Sequence, residues 1–263
     1  MKYPVIAFLT AVLLLGCTTS PMGRNQLILF PAAEMSQMGA AAFQEIQQDT
    51  PVSRDGRINA YVSCVAEHVI RALPDGDPAA WEIKVFEQDA ANAFALPGKK
   101  IGVYTGLLDV AENQGQLATV IAHEVAHVLA NHSNERVSAN FVTQTGMQLV
   151  QAAVGADTPM KQQLFGLLGV GAQVGVILPF SRTQEAEADL VGLELMAKAG
   201  FDPRESVKLW QNMQAQGGGS QPEFMSTHPS SQRRITELNA RMSEHMRISS
   251  QARSAGRVPD CRR

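Results

Sequence analysis

The feature that most narrows what this chain can become is His123-Glu124-Val125-Ala126-His127. It sits in a stretch whose apolar residues Leu117, Val120, Ile121, Val125 and Val128 recur at helical spacing. Each residue of a helix turns about 100°, so side chains four apart lie about 40° apart in projection. The two imidazoles therefore address one point from successive turns. Such a pair suits a tetrahedral zinc ion with Zn–N distances of about 2.0–2.1 Å. Glu124, next to His123 on the same side, is placed to take a proton from a water at that ion.

A third ligand must come from elsewhere, and Ser181–Asp189 offers three acids. Ala186, Leu190, Leu193 and Ala197 mark the core stripe of a helix expected over 183–198. Glu185 and Asp189 lie one turn over the other beside that stripe. Glu185 is thus the predicted third ligand. Asp189 is expected to accept an imidazole N–H and so fix a ligand tautomer. Glu187 falls on the far side with Glu194 and Lys198 and is expected to be a solvated charge, with Glu194–Lys198 a favourable surface pair. The competing reading makes all three acids surface charges. His132 is a rival ligand, but Val128-Leu129-Ala130-Asn131-His132 lacks the glycine turn and spacing of HExxHxxGxxH. On a continuous helix it points about 140° away from His127 and reads as a packing or supporting group. His68 and His245 stand alone and are expected to be ordinary.

Composition closes off other classes. The chain has 263 residues, 22 Lys plus Arg against 25 Asp plus Glu, and a net charge of −3. It therefore lacks the basic excess of a nucleic-acid binder, and no Gly-rich phosphate loop appears. An apolar content of 45% excludes a disordered chain. Three cysteines are too few for a disulfide scaffold.

The N-terminus reads as a leader. Lys2 precedes an apolar run from Pro4 to Leu15, shorter than the roughly 20 residues a membrane helix needs. Leu14-Leu15-Gly16-Cys17 resembles a bacterial lipoprotein box, which implies cleavage before Cys17 and lipidation of its thiol. An ordinary signal peptide with a chance cysteine is the alternative. The absence of Asp after Cys17 implies, by the rule for such lipoproteins, the periplasmic side of the outer membrane. In an oxidising compartment Cys64 and Cys261 are expected to pair, the alternative being two free buried thiols. The organisation expected is a leader over 1–16, a lead-in over 17–33, a zinc peptidase unit over 34–246 and a solvated, mobile tail over 247–263.

The pattern between predicts a helix over 34–48 and a second one capped by Asp55. Strands follow at 81–85, 92–96 and 100–105, in a small sheet expected to be antiparallel. Pro97-Gly98 suits a type II turn. Helix resumes from Glu112 to about Val150, then at 183–198, 204–214 and 230–246. Residues 164–180 are the most apolar stretch of the chain after the leader. Borderline for a membrane span, they read as a buried helix or active-site loop, serving as a lid or a client-binding surface. Residues 216–222 read as a flexible linker. The fold class is α+β, mostly helical, with the small sheet beside the HExxH helix.

Taken together, these segments resemble the gluzincin family of the CAAX prenyl proteases and HtpX, and are similar to its exported bacterial members, the periplasmic lipoprotein metallopeptidases of the LoiP type. The segments are the lipoprotein start, Asn92-Ala93 with Pro97-Gly98, Ile101 to Leu108, His123 to His132, Arg182 to Gly192, and Thr227-His228-Pro229 with Arg234-Ile235. The resemblance implies one zinc held by His123, His127 and Glu185, with Glu124 catalytic. It implies that His228 and Arg234 face the metal from the opposite wall. They are candidates for stabilising an oxyanion, and His228 is alternatively a self-inhibiting ligand. The strand at Asn92 and Ala93 looks like the family's substrate-edge strand. Lys99 departs from the family, many members of which have a second Gly there. The function expected is a zinc endopeptidase anchored at the outer membrane and cleaving misfolded or surplus envelope proteins. The alternatives are a non-catalytic or latent lipoprotein chaperone on the same fold, and a zinc hydrolase of small molecules.

Overall fold

The computed structural model describes residues 17–154, 180–216, 223–228 and 232–263. The expected leader, most of the apolar 164–180 stretch and most of the 216–222 linker lie outside the described residues. The described residues open with a hairpin, β1 (Cys17–Thr19) and β2 (Asn25–Leu27). Two helices follow, α1 (Ala32–Asp49) and α2 (Gly56–Arg71). Asp55 caps α2 by accepting from the N–H groups of Arg57 and Ile58, an arrangement worth about 1 kcal/mol.

Three strands come next: β3 (Glu82–Phe86), β4 (Ala93–Leu96) and β5 (Lys100–Tyr104). Their order is β3-β5-β4, with β5 antiparallel to β4 but parallel to β3. The sheet is therefore mixed, not antiparallel as the pattern suggested. Six residues, Glu87–Asn92, separate β3 from β4 and carry the chain past the place that β5 fills. The turn after β4 also differs from type II, because Lys99 as well as Gly98 has positive φ, 62° and 82°. Phe43, Phe86, Phe94 and Tyr104 form a separate aromatic cluster between α1 and the sheet.

After a short α3 (Leu107–Val110) runs the central helix, α4 (Gln114–Leu129), capped by Asn113. Its residues from Gly115 to His127 are all buried, which marks it as the middle of the protein and not a surface helix. Helix α5 (His132–Val154) follows after a break. Helix α6 (Arg182–Lys198) starts with a capping box between Ser181 and Gln184 and stops at Gly200, φ 90°. Helices α7 (Arg204–Gln216), α8 (Glu223–Thr227) and α9 (Gln232–Ser254) are the last of the described elements. Helix α6 lies directly on α4. At Gly192 a Cβ would sit 3.0 Å from the His123 nitrogen, so the approach that brings the two helices together admits only glycine without adjustment.

The tail, expected to be solvated and mobile, is instead tied to the body. Helix α9 runs on to Ser254, and the residues beyond it are pinned to the body. Gln114 donates to the Pro259 carbonyl and accepts from the Cys261 N–H. Cys261 is bonded to Cys64 on α2 across 197 residues of sequence. In the chain-entropy model such a loop closure contributes up to about 5 kcal/mol.

Candidate metal centre

Helix α4 presents His123 and His127 one turn apart, and α6 brings Glu185 against them. The His123 and His127 Nε2 atoms are 3.0 Å apart. Glu185 Oε2 lies 3.4 Å from His123 Nε2, and Oε1 lies 3.4 Å from His127 Nε2. His228, just after α8, places Nδ1 3.2 Å from His123 Nε2 and 3.0 Å from Glu185 Oε1. All four side chains are buried. A tetrahedron with metal–ligand distances of 2.0–2.1 Å has edges of about 3.3 Å, so these spacings are those of one zinc site.

The donor chemistry makes the same demand. His132 Nε2 lies 3.2 Å from the Glu187 carboxylate, so it donates there and its Nδ1 accepts. That Nδ1 is 2.8 Å from His127 Nδ1, which must therefore carry the proton. His127 Nε2 is left with a lone pair. His123 Nδ1 faces Asp189 Oδ1 at 3.2 Å, which likewise leaves a lone pair on its Nε2. Two lone pairs and a carboxylate thus converge on a buried point, an arrangement that requires positive charge. In the absence of metal a proton answers the same demand: burial pushes the His123 imidazole down, but Asp189 and Glu185 outweigh it and hold it up at about 9. Burial keeps His127 well below the ordinary histidine range.

Glu124 is buried beside this cluster. Its Oε2 accepts from the Ala95 N–H at 3.0 Å, which ties it to strand β4. Among the described residues its Oε1 makes no hydrogen bond, and it lies 3.3 Å from His228 Nε2. Burial pushes the Glu124 carboxyl up, against His228, His123 and the Ala95 N–H. A cavity of about 10 Å³ adjoins it, lined by Asn92 to Ala95, Glu124, Phe180, Thr227 and His228, with room for about one water. Among the described residues strand β4 is the sheet edge on this side. The Tyr104 N–H reaches the Asn92 carbonyl, so the alternate residues Ala93 and Ala95 turn their backbone groups away from β5.

Asp189 stands where expected, facing His123. Arg234 grips it through Nε and Nη2, the latter at 2.7 Å, and reaches Glu185 Oε2 at 2.8 Å. Its guanidinium stacks over Trp210 at 3.9 Å. Arg234 Nη1 also donates to the His228 carbonyl at 3.4 Å, so its donors reach both carboxylates and the segment that carries His228.

Two readings of the sequence need correction. Glu187 is 5% exposed and is no solvated charge, because the β1–β2 hairpin covers it. Burial pushes its carboxyl up, but hydrogen bonds from Ser20, His132, Met22 and Arg24 more than offset this and hold it below the ordinary range. His132 is buried against His127, although on a continuous helix it would point away from it. Asn131 takes φ 52°, the left-handed region that Asn tolerates, and the break swings His132 back to His127. Pattern reasoning also missed Phe180, whose ring stacks on His127 at 3.8 Å with Arg136 on it at 3.7 Å. Arg24 and Glu135 were missed too. Nothing in their local sequence distinguishes them from surface charges.

A mostly helical α+β fold with an HExxH helix, a carboxylate from a second helix and an edge strand beside Glu124 defines a zincin-type metallopeptidase. The chain belongs to peptidase family M48, whose model matches residues 56–242. It is 39% identical over 180 residues to the mitochondrial metalloendopeptidase OMA1 of Schizosaccharomyces pombe, covering 68% of this chain and 51% of that protein. The human OMA1 metalloendopeptidase is 28% identical over 240 residues, 86% of this chain and 46% of its own length. The beta-barrel assembly-enhancing protease of Escherichia coli is 24% identical over 234 residues, 86% of this chain and 47% of its own. The chain spans about half the length of the curated relatives it matches.

These relatives overturn the placement expected from the N-terminus. Several, from yeasts to human, are mitochondrial endopeptidases and not outer-membrane lipoproteins. The outer-membrane and periplasmic location and the envelope-protein substrates are therefore withdrawn, and the lipid anchor at Cys17 finds no support. The peptidase class itself stands, and with it zinc as the family's metal.

Proposed function

We propose that this chain is a zinc endopeptidase acting on extended segments of protein. Zinc is held by His123, His127 and Glu185. The observation that carries the reading is Glu124: a buried carboxylate, locked by the Ala95 N–H, with one unbonded oxygen beside a donor set spaced for zinc. When bound, zinc polarises the scissile carbonyl and lowers the pKa of water at the site to about 7. Glu124 Oε1 takes the proton of the attacking water, and the resulting carboxylic acid returns it to the leaving amine. The substrate backbone pairs with the outward groups of Ala93 and with the Ala95 carbonyl, the Ala95 N–H being held by Glu124, which gives binding without strict side-chain selection. Asp189 and Arg234 act as positioning residues, holding His123 and Glu185.

Replacing Glu124 by Gln tests this directly. The variant is expected to keep its zinc, measured by elemental analysis, and to lose about 10²- to 10⁴-fold in cleavage of unfolded casein. Cleavage at the parent rate would end the assignment of Glu124.

A second reading concerns the resting state. His228 Nδ1 occupies the fourth corner of the ligand set, and the cavity beside it holds about one water. This favours a latent enzyme in which His228 closes the metal and withdraws when substrate binds. If so, His228→Ala raises basal casein cleavage. A fall in kcat would instead make His228 a donor to the transition state.

A further inference from the structure

Every metal ligand needs a support, and that of His127 leaves the peptidase core. From His127 Nδ1 the contacts run to His132 Nδ1 at 2.8 Å, then from His132 Nε2 to Glu187 Oε2 at 3.2 Å. Glu187 is held in turn by the N-terminal hairpin. Arg24 Nε donates to Glu187 Oε2 at 3.1 Å, and the Met22 N–H donates to Oε1 at 3.2 Å. Arg24 also grips Glu135 at the start of α5, with Nη2 to Oε2 at 2.7 Å. Gln26 donates to the Ala130 carbonyl at 2.6 Å and to Glu135. Gln184, one residue before Glu185, donates to the same Glu135 at 2.8 Å. The hairpin thus grips both sides of the bend at Asn131 and the start of the helix that carries Glu185.

We propose that Arg24 of the N-terminal hairpin is a positioning residue for the metal centre, acting through Glu187 and His132 on the ligand His127. The proton order along the chain follows from its end. A carboxylate at Glu187 accepts only, so His132 donates to it and accepts from His127, which turns the His127 Nε2 lone pair to the metal. Arg24 keeps Glu187 at the far end, and the hairpin excludes water from it. The hairpin is then part of the metal site and no mere leader to the fold. The inference rests on the reading of His127 as a zinc ligand.

The test uses the full chain and zinc itself, titrated against a competing chelator, with the visible spectrum of the Co²⁺-substituted protein as a second readout. About one zinc per wild-type chain supports the ligand reading; a wild-type chain without zinc affinity would defeat that reading whatever the variants do. Given zinc binding, Glu187→Gln is expected to weaken it about 10- to 100-fold and to shift the Co²⁺ bands. Arg24→Ala should weaken it on the order of 5-fold, with Arg24→Lys recovering part of the loss. In the Glu187→Gln background Arg24→Ala should have no further effect. Arg71→Ala, which breaks an exposed pair with Glu67, should leave both readouts unchanged. If Arg24→Ala and Arg71→Ala give the same affinity and spectrum as wild type, the inference is overturned. That comparison also decides the matter should Glu187→Gln fail to fold, since the Arg24 side chain is 25% exposed and its loss leaves the core packing in place.

Discussion

The two histidines of the HExxH helix, His123 and His127, proposed as zinc ligands, are supported by opposite means. On the His123 side, Asp189 faces the imidazole directly and Arg234 locks Asp189, all within the packing of α4, α6 and α9. On the His127 side the same order of imidazole, carboxylate and guanidinium recurs, but with His132 inserted and the last two groups reaching out to the hairpin. Arg234 is 4% exposed as a residue, whereas the Arg24 side chain is 25% exposed. The short support is enclosed, with Asp189 and Arg234 both buried and Arg234 also reaching Glu185 and the His228 carbonyl. The long one depends on segments far apart in sequence staying docked. The two proposed ligands thus differ in what can disturb them.

The largest effect that would break this comparison is expected on the short side. Arg234→Ala leaves Asp189 and Glu185 buried without their guanidinium, and removing one partner of a buried pair costs about 3–5 kcal/mol. Urea denaturation of the metal-free protein should show a loss of that size, well beyond that of Arg24→Ala. Equal losses would mean that the two supports do not differ in kind.

A smaller effect is expected at the bend that makes the long support possible. Asn131→Ala places an alanine at φ 52° and should destabilise by about 1 kcal/mol, with weaker zinc binding, while Asn131→Gly should do neither. Matching values for the two variants would show that the left-handed bend does not hold His132 in place.

The smallest effect is one of pH. Burial pushes the Glu135 carboxyl up, but Arg24, Gln184 and Gln26 bring it below its ordinary value of 4.5. A carboxylate lowered on folding adds stability that is complete above its unfolded value and is lost as pH falls through the folded one. In melts of the metal-free protein, the gap in Tm between wild type and Arg24→Ala should therefore be constant above about pH 5 and close below 4.5. A gap that persists unchanged at pH 3 would mean that Arg24 stabilises by packing and not by its charge.

Much of the short support was legible in the sequence, because it follows from spacing within single helices. The His123–His127 step, the Glu185–Asp189 step and the caps at Asp55 and Ser181 are all local. Arg234 was visible only through family resemblance, since its own helix marks it as one more surface cation. The long support was not legible. Glu187 does lie opposite Glu185 on α6, as its position in the helix requires, yet that face is covered by a hairpin about 160 residues earlier in sequence. Likewise, nothing in the alternation of β3 tells which neighbour it will pair with, and the tail beyond Met246 reads as polar although a disulfide and Gln114 hold it down.

The sequence by itself determined which residues could share a helix face, and with that the metal-binding class of the protein, because helical geometry repeats over four residues whatever surrounds it. Only the tertiary structure decided which charges are buried, which strand runs parallel to which, and where His132 points. Those outcomes depend on what distant segments bring to the same place, and on one backbone angle at Asn131 that local preference permits but does not impose.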